Sequence, residues 1–255
     1  MTEALFLGDV SGAAIGAIVR VGGDEGHHAV AVRRIRVGEV VLVADGLGHA
    51  VRGPVISADK AGLGVEVGEL FTTPESSHRW VAAQALAKGD RAELAVEAMS
   101  ELGIDEVVPW NASRSEIKWA ADRADKAVAR WQSKAREAAK QSRRFRVPSV
   151  TAPASTDALV KRVAQTALTL VLHESGDEAL WTVPLPEAGE IMFVIGPEGG
   201  ITEPEQVAFR DAGARVVTIA DAVLRTSTAG VVALAQLQVL AARQGHSERT
   251  PSQRG

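Results

Sequence analysis

An apolar run, Ile191-Met192-Phe193-Val194-Ile195, passes without a polar break into Gly196-Pro197-Glu198-Gly199-Gly200 and then, after Ile201, into Thr202-Glu203-Pro204-Glu205. A run this apolar reads as a strand covered on both faces, as in a parallel sheet. Thr202 and Glu205 have the spacing of a capping box, so a helix is predicted to start there. A buried strand that feeds a glycine-rich turn and a helix N-terminus is where open α/β sheets hold ligands. The pattern recurs further on. Val216 to Ala220 reads as a strand, and Asp221-Ala222-Val223-Leu224-Arg225-Thr226-Ser227-Thr228-Ala229-Gly230 leads from it into an apolar helix. Two such loops are predicted to lie side by side at one end of the sheet and to form a composite pocket.

The ligand class follows from what the first loop lacks. It is neither the GxGxxG of a dinucleotide loop nor a P-loop ending in Gly-Lys-Ser/Thr. It also sets Glu198 where a phosphate would meet a second negative charge. At ~4 Å that repulsion is roughly 1 to 4 kcal/mol, depending on the local dielectric. A ligand without phosphate is favoured, and S-adenosylmethionine qualifies through its adenosine, zwitterionic end and sulfonium. The same residues also read as a tight strand–helix connection with no ligand.

The remaining pattern gives the organisation. Residues 1 to about 72 read as β, with short apolar runs at Val40 to Val43 and Val51 to Ile56 and a hairpin-turn signal at Asp45-Gly46. They predict a small barrel, residues 1–73, ending in the polar stretch Thr72-Thr73-Pro74-Glu75-Ser76-Ser77. From Trp80 strands and helices alternate. Strands are predicted at Trp80–Ala87, Ile104–Trp110 and, as strand or end of helix, Thr166–Leu172. Helices are predicted at Asp90–Leu102, Ala120–Ser142, Glu203–Ala212 and Thr228–Arg243. The first of these presents Leu94, Ala95, Ala98 and Leu102 on one face, with Gly103 as terminator. A second domain over 74–244 and a polar, disordered tail over 245–255 complete the expectation.

Charge is uneven. Between Arg114 and Arg146 there are eleven Lys/Arg and four Asp/Glu. The overall net charge of −4 then leaves −11 for the rest of the chain. One basic helix and its exit, densest at Arg143, Arg144 and Arg146, suit phosphate in an otherwise acidic protein. A solvated helix face with i,i+4 pairs is the plainer alternative. The chain has no cysteine, which removes disulfides, thiolate metal sites and cysteine nucleophiles. No stretch approaches the ~20 apolar residues of a membrane helix, and the opening residues lack a basic, apolar leader. A soluble cytoplasmic protein is the expectation. His27-His28 lacks a ligand set for a metal, so none is expected.

These residues resemble the SPOUT superfamily of methyltransferases and, within it, the RsmE family of rRNA uracil-N3 methyltransferases. The stretches that carry the resemblance are His27-His28 with Val32-Arg33-Arg34, Lys88-Gly89-Asp90 through Glu101-Leu102-Gly103, Pro109 with Ser113-Arg114-Ser115, Glu137 through Arg144 with Val147-Pro148, Ile195 through Gly200, and Leu224-Arg225 with Thr228-Ala229. The resemblance implies an α/β fold: a SPOUT-type trefoil-knot domain preceded by a small PUA-like β-barrel that helps bind RNA. It implies a homodimer acting on 16S rRNA within the assembled small subunit, at the family's uridine 1498. It puts S-adenosylmethionine on three loops, Leu172-His173-Glu174, Gly196-Pro197-Glu198-Gly199-Gly200, and Ile219 with Leu224, Arg225, Thr226, Ser227, Thr228 and Ala229. RNA contacts fall on His27, His28, Arg33, Arg34, Arg114, Arg143, Arg144 and Arg146. Ser227 stands where the family often has glutamate. The opening Ala4-Leu5-Phe6-Leu7 replaces the usual Arg-Phe-Phe.

Methylation of uracil at C5 commonly proceeds through a cysteine adduct, which this chain cannot form. Methylation at N3 needs the N3 anion stabilised, and Arg225 is the candidate for that role. Arg225 also reads as a structural tie of its loop. Glu174 reads as a partner for the cofactor's ammonium or ribose, or as a surface acid, and no general base stands out. The competing readings are a SPOUT enzyme with another RNA target and a non-catalytic ribosome-assembly factor. A barrel and a basic helix would suffice for the assembly factor, but it would not need the Gly-Pro-Glu-Gly-Gly loop.

Overall fold

The computed structural model describes residues 3–119 and 121–247, the side chains of 121–123 and 245–247 excepted. The chain folds as two compact units, Met1–Glu75 with Arg136–Val147, and Ser76–Ala135 with Pro148–Gly255. The end of the basic helix thus groups with the N-terminal unit, whereas sequence spacing had put all of 74–244 in one domain. Residues 245–247 continue the last helix, and 248–255 of the expected tail lie outside the described residues.

The N-terminal unit is a six-stranded sheet built of β1 (Leu5–Leu7), β2 (Ile18–Val21), β3 (Val40–Ala44), β4 (His49–Asp59), β5 (Gly62–Glu66) and β6 (Glu69–Thr72). The order is β1-β3-β4-β5-β2, with β6 also on β4. The turn signal at Asp45-Gly46 does join an antiparallel pair, β3 and β4. A register shift between Val55 and Ser57 bends β4, so that its first half pairs with β3 and β6 and its second with β5. Phe6, Val43, Val51, Val55, Leu63 and Val65 fill the core. The region is not all β, as its short apolar runs suggested. Helix α1 (Gly23–His27) runs into a π-helical turn, His28–Val32, which buries Ala29. His27 and His28 therefore lie on a helical segment.

The second unit is a seven-stranded sheet, parallel in every pairing. In chain order its elements are β7 (His78–Ala85), α2 (Arg91–Leu102), β8 (Glu106–Trp110), α3 (Ala121–Gln141), β9 (Ser149–Val150), α4 (Thr156–Val163), β10 (Leu168–Leu172), β11 (Glu178–Ala179), β12 (Gly189–Ile195), α5 (Glu203–Asp211), β13 (Arg215–Thr218) and α6 (Thr226–Ser247). The strand order is β11-β13-β10-β12-β7-β8-β9. Side chains alternate between the two faces. Ala82, Val107, Leu170, Phe193 and Val217 join the core shared with α2, α3 and α6, while Val81, Val108, Val171, Met192 and Val216 join that shared with α4 and α5. With both faces covered, the strands can be apolar throughout, as Ile191–Ile195 is.

Helix α2 ends at Gly103, whose φ of 95° is the left-handed conformation a glycine terminator supplies. The buried face of α2 is rotated from the predicted one. Ala92, Ala95, Val96 and Met99 are buried, at i, i+3, i+4 and i+7, and Leu94 is 49% exposed. Small residues let the helix approach α6 and the sheet, and a leucine on that face would hold it off. Helix α4, with Ser155 accepting a hydrogen bond from Ala158 N–H as its cap, was not predicted, because its apolar residues Leu159, Val160 and Val163 are too few to set a period.

Candidate active site

The strand order decides where the loops meet. Strand β10 lies between β12 and β13, so the two glycine- and hydroxyl-rich loops do not follow neighbouring strands. The turn after β10 separates them, and all three leave the sheet at the same end. They enclose one cleft of about 450 Å³, within the range of small-molecule sites. Leu172, His173 and Glu174 line it from the first loop, Gly196 through Ile201 from the second, and Ile219, Ala220 and Ala222 through Thr226 from the third. Ala229 closes it from α6.

Each loop is fixed by bonds that reach outside it. Glu205, 4% exposed, forms the predicted capping box: Thr202 N–H and Oγ1 donate to its Oε2 at 3.0 and 2.7 Å. Its Oε1 also accepts from Ser113 N–H at 2.8 Å and Thr156 Oγ1 at 3.0 Å. Burial pushes this carboxyl up, but the donors from Ser113 and Thr202 prevail and hold it below the usual carboxylate range. One ionised side chain thereby fastens the Gly-Pro-Glu-Gly-Gly loop to the segment after β8 and to the start of α4. Arg114 Nη1 donates to the Gly199 carbonyl at 3.1 Å. A Cβ on Gly199 would stand 3.1 Å from Arg114 Cβ and 3.3 Å from its carbonyl oxygen, so any side chain there would press on Arg114, and glycine lets the two segments pass this closely without that strain. His173 N–H donates to Val217 C=O at 3.0 Å, and Gln236 on α6 donates to Ile219 C=O at 2.9 Å. Buried Gln84 donates to Thr226 Oγ1 at 2.9 Å.

Of the expected cofactor residues, Ser227 and Thr228 do not face the cleft; both sit in the first turn of α6. The Arg225 carbonyl accepts from Thr228 and Ala229 N–H at 2.8 and 2.9 Å, starting that helix. The Arg225 guanidinium is exposed, and no hydrogen bond or ion pair holds it among the described residues. It does not tie the loop. Arg114, read from sequence as an RNA contact, lines the cleft, and so does Arg91, which sequence reasoning missed. Arg91 directly follows the Lys88-Gly89-Asp90 stretch, the one pointer to it. The walls carry Leu172, Ile195, Ile201, Ile219, Val223 and Leu224, with Glu174 and Glu198 as acids. Among the described residues no group of His, Cys, Asp and Glu could hold a metal, and no helix is long and apolar enough to cross a membrane.

The basic segment is less open than its composition suggests. Arg130 pairs with Glu93 at 2.7 Å, Lys134 with Glu97 at 3.9 Å, and buried Lys140 with Glu25 at 2.9 Å. Arg146 spreads over the β3–β4 turn, where a Cβ on Gly48 would lie 2.8 Å from its Cζ. Arg144 is half-buried. His27, Arg33, Arg34 and Arg143 are exposed on the N-terminal unit, and His28 is partly buried there.

Residues 74–238 match the family model described as an RNA methyltransferase domain, and residues 21–67 that of an RNA methyltransferase PUA domain. The chain is 44% identical over 232 residues to the ribosomal RNA small subunit methyltransferase E of Mycobacterium tuberculosis, covering 89% of this chain and 88% of that protein. The chain belongs to the ribosomal RNA small subunit methyltransferase E family. The Bacillus subtilis family member is 30% identical over 84% of this chain and 87% of its own length. A crystal structure of the Neisseria gonorrhoeae methyltransferase E bound to S-adenosyl methionine superposes with a TM-score of 0.82 at 28% identity, covering 94% of this chain and 98% of that one. The three-loop cleft lies within the matched RNA methyltransferase domain, and the helical segment carrying His27, His28 and Arg33 lies within the PUA match.

Proposed function

We propose that this protein transfers a methyl group from S-adenosylmethionine to N3 of a uracil in 16S rRNA, at the family's uridine 1498. The observation that carries the reading is the convergence of the loops after β10, β12 and β13 on one cleft. The residues present fit the cofactor. Apolar walls suit an adenosine, the close-packed backbone from Gly196 to Gly200 offers N–H and C=O groups to its edge, and Glu174 and Glu198 suit a cationic ligand and repel a phosphate. Leu172 to Glu174, Gly196 to Gly200, Ile219, Leu224 and Thr226 would hold it, with Ala229 behind them. When bound, the cofactor supplies an electrophilic methyl group on a sulfonium.

The chain's own task is to orient the acceptor and manage charge. With no cysteine to add to the ring, the common covalent route to C5 is closed, and the reading takes N3 as the accepting atom. As N3 gives up its proton, negative charge spreads over O2 and O4. Arg225, exposed at the cleft and with no side-chain bond among the described residues, is positioned to stabilise it. Thr226 Oγ1 accepts from Gln84 and keeps its own proton to donate towards the ligand. The reading includes the family's trefoil knot, a homodimer, and action on assembled small subunits in the cytoplasm.

The test is mass mapping of 16S rRNA from a strain lacking the gene. One methyl group missing from a single uridine, restored by the purified protein with S-adenosylmethionine and small subunits, is the expected result. A complete methylation pattern in that strain would refute the reading, and a missing methyl on another base or on a ribose would move the acceptor.

A further inference from the structure

The N-terminal unit holds a second hollow, of about 160 Å³, smaller than the ~300 Å³ at the lower end of cofactor sites. Its rim carries His28, Arg33, Gln141 and Arg143. The acids beside it are already engaged. Glu3 accepts from Arg52 at 2.6 and 2.9 Å, and Glu137 pairs with Lys140 at 3.2 Å. Arg33 and His28 have no side-chain hydrogen bond or ion pair among the described residues.

One backbone feature marks this rim and a second lies next to it in the chain. Every described residue at positive φ is glycine except Arg34, at 55°, and Arg143, at 54°. Arg143 follows the end of α3 in the position where helices commonly place glycine: its N–H donates to Lys140 C=O at 3.1 Å, and Arg144 N–H reaches back to Ala139 C=O at 2.8 Å. The π-helical turn ends the same way one residue wider, with Ile35 N–H on Ala29 C=O at 3.1 Å and Arg34 left-handed beside Arg33. A left-handed arginine is a strained choice where glycine is free of the penalty, and strain kept at a surface hollow points to the side chain's use.

The floor has its own chemistry. Strand β1 lies at the edge of the sheet and, among the described residues, pairs with β3 alone. Ala4 C=O accepts from Leu42 N–H and Gly8 N–H donates to Ala44 C=O, so the even-numbered residues face β3 and the odd-numbered ones face outward. Leu7 N–H accordingly bonds outward to Glu25 at 3.1 Å. Leu5, which lines the hollow, turns its N–H and C=O outward as well. A peptide N–H and C=O side by side match the donor–acceptor edge of a nucleobase, and the Gln141 amide adds a second such pair.

We propose that this hollow binds a single unstacked nucleotide of RNA, its phosphate on Arg33 and Arg143 and its base edge on Leu5 and Gln141. The proposal rests on the reading of the chain as an rRNA methyltransferase and adds a nucleotide held away from the methyl-transfer cleft. The ligand is single-stranded, because pairing occupies a base's Watson–Crick edge and the deep, narrow major groove of an RNA duplex keeps its other edge out of a hollow this small.

The experiment pairs Arg33→Ala with Arg143→Gly and follows methyl transfer to unmethylated small subunits. Glycine relieves the left-handed position, so Arg143→Gly alone should melt at or above the temperature of the unaltered protein. The double variant should raise KM for small subunits about tenfold or more, leave kcat and cofactor Kd unchanged, and flatten the salt dependence of RNA binding. A fluorescent ten-nucleotide single strand should lose affinity in parallel, whereas a duplex of that length should bind both proteins equally weakly. An unchanged KM in the folded double variant overturns the proposal and spares the methyltransferase reading. A lowered melting temperature for Arg143→Gly overturns it too, since the arginine would then serve the fold. Absence of transfer by the unaltered protein removes both.

Discussion

Two residues of the cleft make opposite demands. Arg225 has a guanidinium with no partner among the described residues, so its removal should touch chemistry and little else. Arg225→Ala is expected to lower kcat about 100- to 1,000-fold, the usual cost of one lost donor to developing negative charge, with cofactor Kd little changed by calorimetry. A kcat within a few fold of the unaltered enzyme would remove the assignment. Gly199 is needed for what it lacks. With a Cβ only 3.1 Å from Arg114 Cβ, Gly199→Val must displace the loop or Arg114. Cofactor titration should then be flat in a protein whose far-ultraviolet spectrum is intact, and a normal titration would show that the close approach is dispensable. Both positions were legible because glycines in a strand–helix turn and a lone arginine among hydroxyls are local patterns. Gln84, Thr156 and Arg91 were not, since nothing near them in sequence shows that they reach the cleft loops.

Helix α5 shows how an element fixes a loop. Its cap is Thr202, but the carboxylate that completes the box also holds Ser113 and Thr156. Glu205→Gln should cost about 1 to 3 kcal/mol in urea unfolding at neutral pH, because a buried acceptor of several donors is only partly replaced. The folded-state pKa of Glu205 is depressed, so its contribution is complete above the unfolded carboxylate range and is lost as pH falls through the folded value. The stability gap between variant and parent should therefore narrow as the pH is lowered below about 4.3. A gap independent of pH would mean that the charge contributes nothing. The capping box was readable from four consecutive residues. The helical stretch Gly23–Val32 was not, being short and embedded between strand-like runs, and the rotation that exposes Leu94 depends on which face α6 packs against.

Across the sheet of the second unit, stability and chemistry occupy opposite ends. The cleft sits beyond the C-terminal ends of β10, β12 and β13, whereas an ion-pair network ties the beginnings of β7, β8 and β12 to the end of α4. Glu106, 6% exposed, pairs with Arg79 at 2.5 Å and with Arg162, and Arg162 Nε meets Glu190 at 2.8 Å. Burial pushes Glu106 up, but the two guanidinium groups outweigh it and hold the carboxyl below its usual range. Its stabilisation is thus present at neutral pH and is lost in acid. Glu106→Ala empties a mostly buried site and leaves Arg79 and Arg162 to share Glu190 alone. It should cost about 2 to 4 kcal/mol, less than a fully buried pair because Arg79 is half exposed. Replacing Glu106 and Arg162 together by apolar residues should recover little of that loss, because Glu190 would lose both of its bonds from Arg162 and keep only Arg79 at 3.4 Å. If the two ends of the sheet are independent, kcat and cofactor Kd of either variant stay at the parental values at a temperature where both remain folded. A fall in kcat alongside the lost stability would mean that strain at the strand starts reaches the loops at their ends, and that the sheet transmits what its layout separates.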